Sequence, residues 1–351
     1  MDEATGDITS LAEAGSGRSF VNAARDGALN RYVFMAGKDP RQAATSGRAT
    51  VTIVDRGPLV ATLRAESAAP GTVRLVREVT LNAGADRIEL QTLVDKQRAP
   101  AGPKGDYSNE ASKESVNLAF PFDVDGGQVR IELPIGGVIR PDIEQIAGSC
   151  KNWFTAGNWT DVSSPARGIT LISLDAPLLQ IGGLTANLLN SQSDPKVWRA
   201  SVGASTAIYP WLMNNHWGTN YRAYQEGPVT FRFALRPHQG YDAASATRAA
   251  TGLAQPLLVL PAVGPAPAGE ARLRLSTDDV VVAGFTPSDD GQGWIVRLYN
   301  PSGTDARVSL TWSRPAPSAL RLSDTSERPG ALVEGPVGVP AWGVVTLRAE
   351  R

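Results

Sequence analysis

A two-residue alternation of apolar and polar side chains recurs along this chain and constrains its fold more than any other feature. The alternating runs are separated by turn-forming residues, as at Gly57-Pro58, Pro70-Gly71 and Asn82-Ala83-Gly84. This spacing predicts β-strands over 49–57, 59–67, 72–83, 86–95, 128–134, 168–175 and 229–237. Successive alternating strands favour antiparallel sheets with one face in water and one in the core. Regular strand–helix alternation is missing, so a parallel doubly wound sheet is disfavoured, and the main helical candidate is the short run 242–254.

Turn-forming residues and chain length together indicate more than one β domain. Gly (35) and Pro (25) make up about 17% of the 351 residues, against roughly 12% in an average protein. The segment LPAVGPAPAGEA (260–271) has the composition of a linker. We therefore predict a large two-sheet β domain over 1–245, a helix and linker over 246–271, and a small C-terminal β-sandwich over 272–351. The first block is too long for a standard sandwich of about 100 residues.

Charge and the rare residue types exclude several function classes. Lys plus Arg (34) and Asp plus Glu (35) nearly cancel, so the net charge of −1 argues against a nucleic-acid partner or an anionic membrane surface. No run approaches the roughly 20 consecutive apolar residues of a membrane helix. With one cysteine and two histidines, neither a metal site nor another cofactor is expected within this chain.

The start of the chain, MDEATGDITSLAEAG, is acidic and polar. It lacks the basic and apolar regions of a secretory signal peptide, so the sequence predicts no compartment. Because the chain opens directly into strand-like sequence, we expect it to be a fragment of a longer protein.

The segment 208–233 gathers aromatic, amide and charged side chains at unusual density. Aromatic rings stack on the apolar faces of pyranose rings, while amides, Arg and carboxylates hydrogen-bond to sugar hydroxyls. This composition predicts a sugar-facing loop whose substrate-binding residues are Tyr209, Trp217, Asn220, Tyr221, Arg222 and Glu226. Two alternatives stay open: the rings fill a core between two sheets, or Arg222 and Glu226 pair as a structural clamp.

Carboxylates are a second source of chemistry. Glycoside hydrolysis needs two of them, roughly 5–5.5 Å apart for retention and roughly 6.5–9.5 Å apart for inversion. The candidates are Glu226, Glu110, Glu114, Asp106 and Asp161. The neighbours Lys113 and Glu114 are predicted to form an exposed pair of little energetic value. His216 is a weak catalytic candidate, and His238, at a strand end, is predicted to be structural.

Several stretches, taken in order, resemble parts of one known family. DEATGDITSL (2–11) is similar to its opening strand, and RLVREVTLNAGADRIELQTLVD (74–95) to its long hairpin. KESVNLAFPFDV (113–124) and NWTDVSS (158–164) resemble its strand before a Phe-Pro pair and its Trp-x-Asp turn. The most specific stretch is DDVVVAGFTPSDDGQGWIVRLYNPSG (278–303), which is similar to its terminal sandwich. The chain thus resembles the C-terminal β region of glycoside hydrolase family 38, the α-mannosidases.

This resemblance implies a galactose-mutarotase-like supersandwich over roughly 1–245, followed by a small β-sandwich. It also implies a retaining hydrolase of mannose metabolism, with a zinc site of two His and two Asp and an Asp nucleophile in an N-terminal α/β-barrel domain. The present sequence has no His-x-Asp motif. The resemblance therefore transfers no zinc ligand and no catalytic residue to this chain, and zinc is expected only in the N-terminal catalytic domain.

The expected function is to scaffold that catalytic domain and to help line its carbohydrate cleft, and the chain alone is expected to be inactive. Its expected partners are a carbohydrate and its own N-terminal catalytic domain. SLDAPLLQIGG (173–183) departs from the family pattern, which leaves the glycoside substrate open. The alternatives are a stand-alone carbohydrate-binding module and a mutarotase-like carbohydrate-active enzyme working through Glu226 and His216.

Overall fold

The chain divides into two compact units. Unit 1 comprises residues 1–131 and 139–241, and unit 2 comprises 132–138 and 242–351. The computed structural model describes residues 1–13, 17–103, 105, 112–134, 136–186, 198–216, 224–259, 261, 263–264, 269 and 271–351.

Two antiparallel sheets account for the strands between residues 31 and 238. Those strands are β1 (Arg31–Ala36), β2 (Ala44–Thr45), β3 (Ala49–Arg56), β4 (Val60–Ser67), β5 (Thr72–Asn82), β6 (Ile88–Lys96), β7 (Glu114–Pro121), β8 (Gln128–Leu133), β9 (Gly137–Ile139), β10 (Phe154–Thr155), β11 (Trp159–Ser163), β12 (Gly168–Ser173), β13 (Leu178–Ile181), β14 (Ala207–Asn214) and β15 (Gly227–His238). One sheet has six strands in the order β10-β13-β14-β7-β1-β2, and the other has nine in the order β3-β4-β5-β6-β15-β12-β11-β8-β9. The predicted fold class, mostly β with large antiparallel sheets, is confirmed.

The core of unit 1 is built from apolar side chains of both sheets. Leu118 and Phe120 of β7 belong to the same buried cluster as Leu90 of β6 and Leu171 of β12. The rings of Phe120 and Phe233, from opposite sheets, lie with their centroids 5.9 Å apart. Burial of apolar area in this layer is the main stabilising contribution, at about 25 cal/mol per Å² removed from water.

Burial along the strands does not always alternate between one wet and one dry face, as β7 and β3 show. β7 is buried at every residue, including Asn117 at 1% exposure, because it lies between β14 and β1 near the middle of its sheet. β3 is the opposite case, since every residue from 50 to 56 is exposed or half-buried. It is the edge strand of its sheet and has a neighbour on one side only. Position in the sheet, which the alternation does not encode, decides both cases.

A buried arginine ties the N-terminal segment to the nine-stranded sheet. Arg77 of β5 is fully buried, and its Nη1 donates to Asp7 Oδ1 at 2.5 Å and to the carbonyl oxygen of Asn30 at 2.8 Å. Its Nη2 donates to the carbonyl oxygen of Thr5 at 2.6 Å. Between these partners Gly6 adopts φ +72°, and a Cβ there would lie 2.4 Å from the Cβ of Ala65. Only glycine fits here, because any Cβ would overlap the methyl group of Ala65.

The long segment of unit 2, residues 242–351, begins with the one α-helix of the described residues, α1 (Ala243–Ala254). Asp242 caps it, because its Oδ1 accepts from the backbone N–H of Ser245 at 3.0 Å. The helix predicted over 242–254 is thus confirmed. No helix among the described residues is long and apolar enough to cross a membrane.

The remainder of unit 2 is a small β assembly. Its strands are β16 (Leu273–Leu275), β17 (Val281–Pro287), β18 (Gly293–Tyr299), β19 (Ala306–Val308), β20 (Leu310–Trp312), β21 (Ala319–Ser323), β22 (Pro329–Leu332), β23 (Val337–Val339) and β24 (Val344–Glu350). They form a five-stranded sheet, β17-β18-β24-β21-β22, and the pairs β16-β20 and β19-β23. Val296, Leu298 and Leu347 form the centre of its own buried cluster. The contacts assign α1 to unit 2, whereas the predicted boundary lies at residue 245, so the three-part division of the chain stays a prediction.

Candidate functional site

The predicted sugar-facing segment is only partly described by the structure. Tyr209 and Glu226 lie within the described residues. The other four predicted substrate-binding residues, Trp217, Asn220, Tyr221 and Arg222, lie outside them, as do the carboxylate candidates Asp106 and Glu110. The site is therefore built from the residues on which this segment begins and ends.

We use the name loop end for one end of the unit 1 sandwich, formed by residues 96–98, 112–115, 214–216 and 224–227. Strand register brings these residues together. Lys96, the last residue of β6, pairs with Gly227, the first residue of β15. In the other sheet Asn214, the last residue of β14, pairs with Ser115 of β7. Glu226 precedes β15 directly, so the segment from 215 to 226 leaves one sheet and enters the other at this end.

A buried ionic bridge joins the two sheets at the loop end. Lys96 Nζ lies 2.5 Å from Glu114 Oε1, and their side chains are 1% and 7% exposed. Asn215 Nδ2 donates to the same Glu114 oxygen at 3.1 Å, and the backbone N–H of Asn215 donates to the carbonyl of Glu114 at 2.8 Å. The pair predicted for Lys113 and Glu114 is thus wrong, because both are buried and Glu114 pairs with Lys96.

Burial sets the electrostatics of this bridge. Desolvation raises the pKa of Glu114, and the hydrogen bond and charge of Lys96 offset only part of that rise. Desolvation, followed by the charge of Glu114, also raises the pKa of the nearby Tyr32 phenol. The Tyr32 hydroxyl donates to the carbonyl oxygen of Pro70 at 2.7 Å. The loop end thus rests on a buried ion pair whose two charges are paired and shielded from water.

An exposed pair lies beside this buried bridge. Arg98 Nε donates to Glu226 Oε2 at 2.7 Å, and Arg98 Nη2 donates to Glu226 Oε1. The guanidinium carbon of Arg98 lies 4.3 Å from the ring centroid of Tyr224. The side chains of Arg98 and Glu226 are 45% and 41% exposed. Both oxygens of Glu226 are thus engaged by Arg98, while the alternative clamp between Glu226 and Arg222 lies outside the described residues.

The two histidines differ in their surroundings, since His216 is buried and His238 is half-buried. His216 is fully buried at the loop end, with its ring centroid 6.1 Å from that of Trp211. His238 Nε2 lies 2.7 Å from Asp161 Oδ2, and its Nδ1 lies 2.6 Å from the carbonyl oxygen of Gly240. Burial lowers the pKa of His238, but the hydrogen bond and charge of Asp161 outweigh it, and the net pKa lies above the usual value.

Asp161 is the centre of a structural hydrogen-bond network. It also accepts from Thr170 Oγ1 at 2.9 Å and from Ser163 Oγ at 2.6 Å. Ser163 and His238 therefore both bond to the carboxylate, a geometry that holds strands β11, β12 and β15 together. Within the described ranges no group of three or more His, Cys, Asp or Glu side chains could hold a metal ion. The described residues therefore do not fit a zinc site.

Tyr209 lies apart from the loop end. It stands five residues before Asn214 on β14, which corresponds to roughly 16 Å of strand. Tyr209 is half-buried and lines a cavity of about 490 Å³ with Arg25 and Asp26. Burial raises the pKa of its phenol. The structure therefore does not bring Tyr209 and Glu226 into one site.

The residues that matter most at both places were missed by sequence reasoning. Lys96 and Arg98 stand at a strand end with no local motif, and Arg25 and Asp26 lie in an ordinary polar turn. The partners of Arg98 and Lys96 are distant in sequence, at Glu226 and Glu114. No signal short of the strand register could have found them.

Comparisons with known proteins agree with this architecture. Residues 1–176 match the profile of the glycosyl hydrolases family 38 C-terminal domain, and residues 279–346 match that of the glycosyl hydrolases family 38 C-terminal beta sandwich domain. Alpha-mannosidase 2C1 of Homo sapiens is 26% identical over 264 residues, which cover 73% of this chain and 22% of that protein. The chain thus spans about a fifth of the length of this curated relative.

Solved structures share the fold. An alpha-mannosidase from Enterococcus faecalis V583 superposes with a TM-score of 0.70 at 12% identity, covering 97% of this chain and 40% of that one. A protein in glycosyl hydrolase family 38 from Enterococcus faecalis gives 0.67 at 13% identity, with 97% and 42% covered. The first family profile alone matches half of the sequence. The chain therefore belongs to glycosyl hydrolase family 38 and comprises the C-terminal β region of that family.

Proposed function

We propose that this chain scaffolds the catalytic domain of an α-mannosidase-type glycoside hydrolase and lines part of its carbohydrate cleft with the loop end. The observation that carries the proposal is the buried bridge of Lys96, Glu114 and Asn215. It lies where the segment that holds most of the predicted sugar-binding residues begins and ends. A wall that faces substrate must hold its shape, and a buried pair resists displacement because separation leaves uncompensated charge.

The chemistry around the bridge supports a sugar as the ligand of this wall. Arg98 and Glu226 form a neutral, exposed pair that can both donate to and accept from hydroxyl groups. Tyr224 contributes a half-buried aromatic ring against Arg98. A few polar groups beside an aromatic surface are typical of sites that bind polyhydroxyl ligands.

The catalytic groups of the reaction would come from elsewhere in the complete protein. By the family resemblance, zinc and an Asp nucleophile would belong to an N-terminal catalytic domain, where the metal polarises the substrate. The hydrolysis of α-mannosides, as a step of mannose metabolism, is thus proposed for the complete protein and not for this chain by itself.

One experiment separates this proposal from its alternatives. The 351-residue chain and the complete protein are assayed with a fluorogenic α-mannoside in the presence of zinc. We expect turnover on the order of 10 per second from the complete protein and none from the chain alone. Turnover by the chain would place a catalytic site within it. Tight mannoside binding by the chain that occurs without turnover and is lost on Arg98→Ala would instead identify the loop end as a carbohydrate-binding module.

A second experiment tests the cleft-lining role. In the complete protein, Arg98→Ala should raise KM or lower kcat severalfold while the melting temperature changes little. Arg74→Ala is the matched control, because Arg74 makes a comparable bidentate contact to Glu66, with side chains 49% and 45% exposed. Equal kinetics for the two variants would contradict a role of the loop end in the cleft.

A further inference from the structure

Unit 1 has a second concave surface, which we name the Tyr209 groove. It consists of two adjoining cavities of about 490 and about 260 Å³. They share the residues Gly126, Gly127, Ala204 and Ser205 and therefore form one elongated depression. The larger cavity alone falls within the roughly 300–1,000 Å³ typical of small-molecule sites.

The charges that line the groove cancel in pairs. In the larger cavity Arg25 Nε donates to Asp26 Oδ2 at 2.8 Å. In the smaller cavity Arg140 Nη2 donates to Asp142 Oδ2 at 2.6 Å. Each cavity thus presents one cation beside one carboxylate and has no net charge among its lining side chains. An anionic ligand would meet a carboxylate in either cavity, and a cationic ligand would meet a guanidinium.

Hydroxyl groups between these pairs are available to a ligand. No hydrogen bond joins Tyr209 Oη or Thr206 Oγ1 to any residue that the structure describes. Ser205 Oγ accepts from the backbone N–H of Ala207 at 3.2 Å, which leaves its proton to donate. These three groups line the larger cavity and present donors and acceptors to a ligand there.

The floor of the groove depends on a glycine. A Cβ at Gly127 would lie 2.8 Å from the carbonyl oxygen of Val124 and 3.0 Å from Thr206 Cγ2. The backbone of the turn thus stays close to Thr206, and the half-buried ring of Tyr209 forms an apolar wall of the same cavity.

We propose that the Tyr209 groove binds a neutral oligosaccharide. The paired Arg and Asp side chains can donate to and accept from neighbouring sugar hydroxyls, and the ligand needs no charge of its own for these bonds. The three protein hydroxyl groups offer further hydrogen bonds to the sugar. The Tyr209 ring supplies a surface on which a sugar ring can stack. Two connected cavities suit a ligand of more than one sugar ring. The groove is separate from the loop end, since Tyr209 is roughly 16 Å of strand away from Asn214. The proposal therefore goes beyond the function proposed above and does not depend on it.

The test is calorimetric titration of the 351-residue chain with three neutral probes, α-mannotriose, maltotriose and cellotriose, and with trigalacturonic acid as the charged comparison. We expect at least one neutral trisaccharide to bind with a Kd of about 1 mM or below, and the charged trisaccharide to bind at least tenfold more weakly. Absence of saturable binding by all three neutral probes at about 10 mM would overturn the proposal.

Variants locate the binding. Tyr209→Ala should weaken binding at least tenfold, Thr206→Val and Tyr209→Phe should each weaken it severalfold, and the control Arg74→Ala, which lies outside both sites, should leave it unchanged. The two conservative variants keep the test valid if Tyr209→Ala lowers the melting temperature. If binding persists in all three groove variants but weakens in Arg98→Ala, the sugar binds at the loop end and the proposal is overturned.

Discussion

Two ion pairs stand two residues apart at the same strand end and differ in nearly everything else. Lys96 and Glu114 are 1% and 7% exposed and join the two sheets of unit 1, whereas Arg98 and Glu226 are 45% and 41% exposed. Burial of the first pair makes each charge costly without the other. Exposure of the second pair makes it nearly neutral for stability, because water already solvates both charges. The difference teaches that burial, more than residue type, decides how much a charged pair contributes to the stability of the fold.

The largest effect is expected from breaking the buried pair. Lys96→Ala leaves Glu114 buried beside Asn215 without its cation, and the free energy of unfolding should fall by about 3–5 kcal/mol. Urea unfolding of the chain measures this loss. Lys151→Ala is the control, because among the described residues Lys151 makes a single long hydrogen bond of 3.3 Å, to the carbonyl oxygen of Ser149. A loss for Lys96→Ala no larger than that of the control would refute the assignment.

A double variant sharpens the same comparison. Lys96→Met combined with Glu114→Gln removes both charges but keeps an Oε1 that accepts from Asn215. It should lose about 1–2 kcal/mol, less than Lys96→Ala, because no charge is left buried and unpaired. A double-mutant cycle on the unfolding free energies checks this. Additive losses would show that the two side chains are not coupled.

The pair of His238 and Asp161 gives a pH-dependent test of burial. The folded-state pKa of His238 lies above its usual value of 6.5. The stabilisation that protonated His238 gives to the folded state through Asp161 is therefore fully present below pH 6.5. It is lost as the pH rises through the folded-state pKa of His238. Unfolding free energies measured from below pH 6.5 upward should decline over this window. His238→Gln should remove that part of the decline, and an identical pH profile in the variant would contradict it.

The smallest effect on stability is expected at the exposed pair. Arg98→Ala should lower the unfolding free energy by about 1 kcal/mol or less, because water already solvates both charges. Added salt should reduce even this difference by screening. A loss as large as that of Lys96→Ala would show that exposure does not separate the two pairs, and the comparison would fail.

The local pattern of the sequence was enough to predict seven strands, among them β5 and β12, and the helix α1. Strands predicted over 72–83 and 168–175 correspond to Thr72–Asn82 and Gly168–Ser173 in the structure. The helix predicted over 242–254 begins where Asp242 caps it. These features follow from the spacing of apolar residues, turn residues and caps within about ten positions. Information of this kind is local, so it can be read without knowing which strands pair.

The residues that come together at the loop end and at the Tyr209 groove could not be predicted from local pattern. The stretch 113–124 resembles a strand of the family, but only the sheet order buries both faces of β7. Glu226 was a candidate on composition, yet its partner Arg98 is 128 residues away in sequence. Tyr209 belongs to the same sequence segment as Glu226, and the rise of β14 carries it away from the loop end. The sequence by itself determined seven of the strands, the helix and the family to which the chain belongs. The tertiary structure decided which charges are buried and which side chains share a cavity, because antiparallel register brings together residues that no local pattern relates.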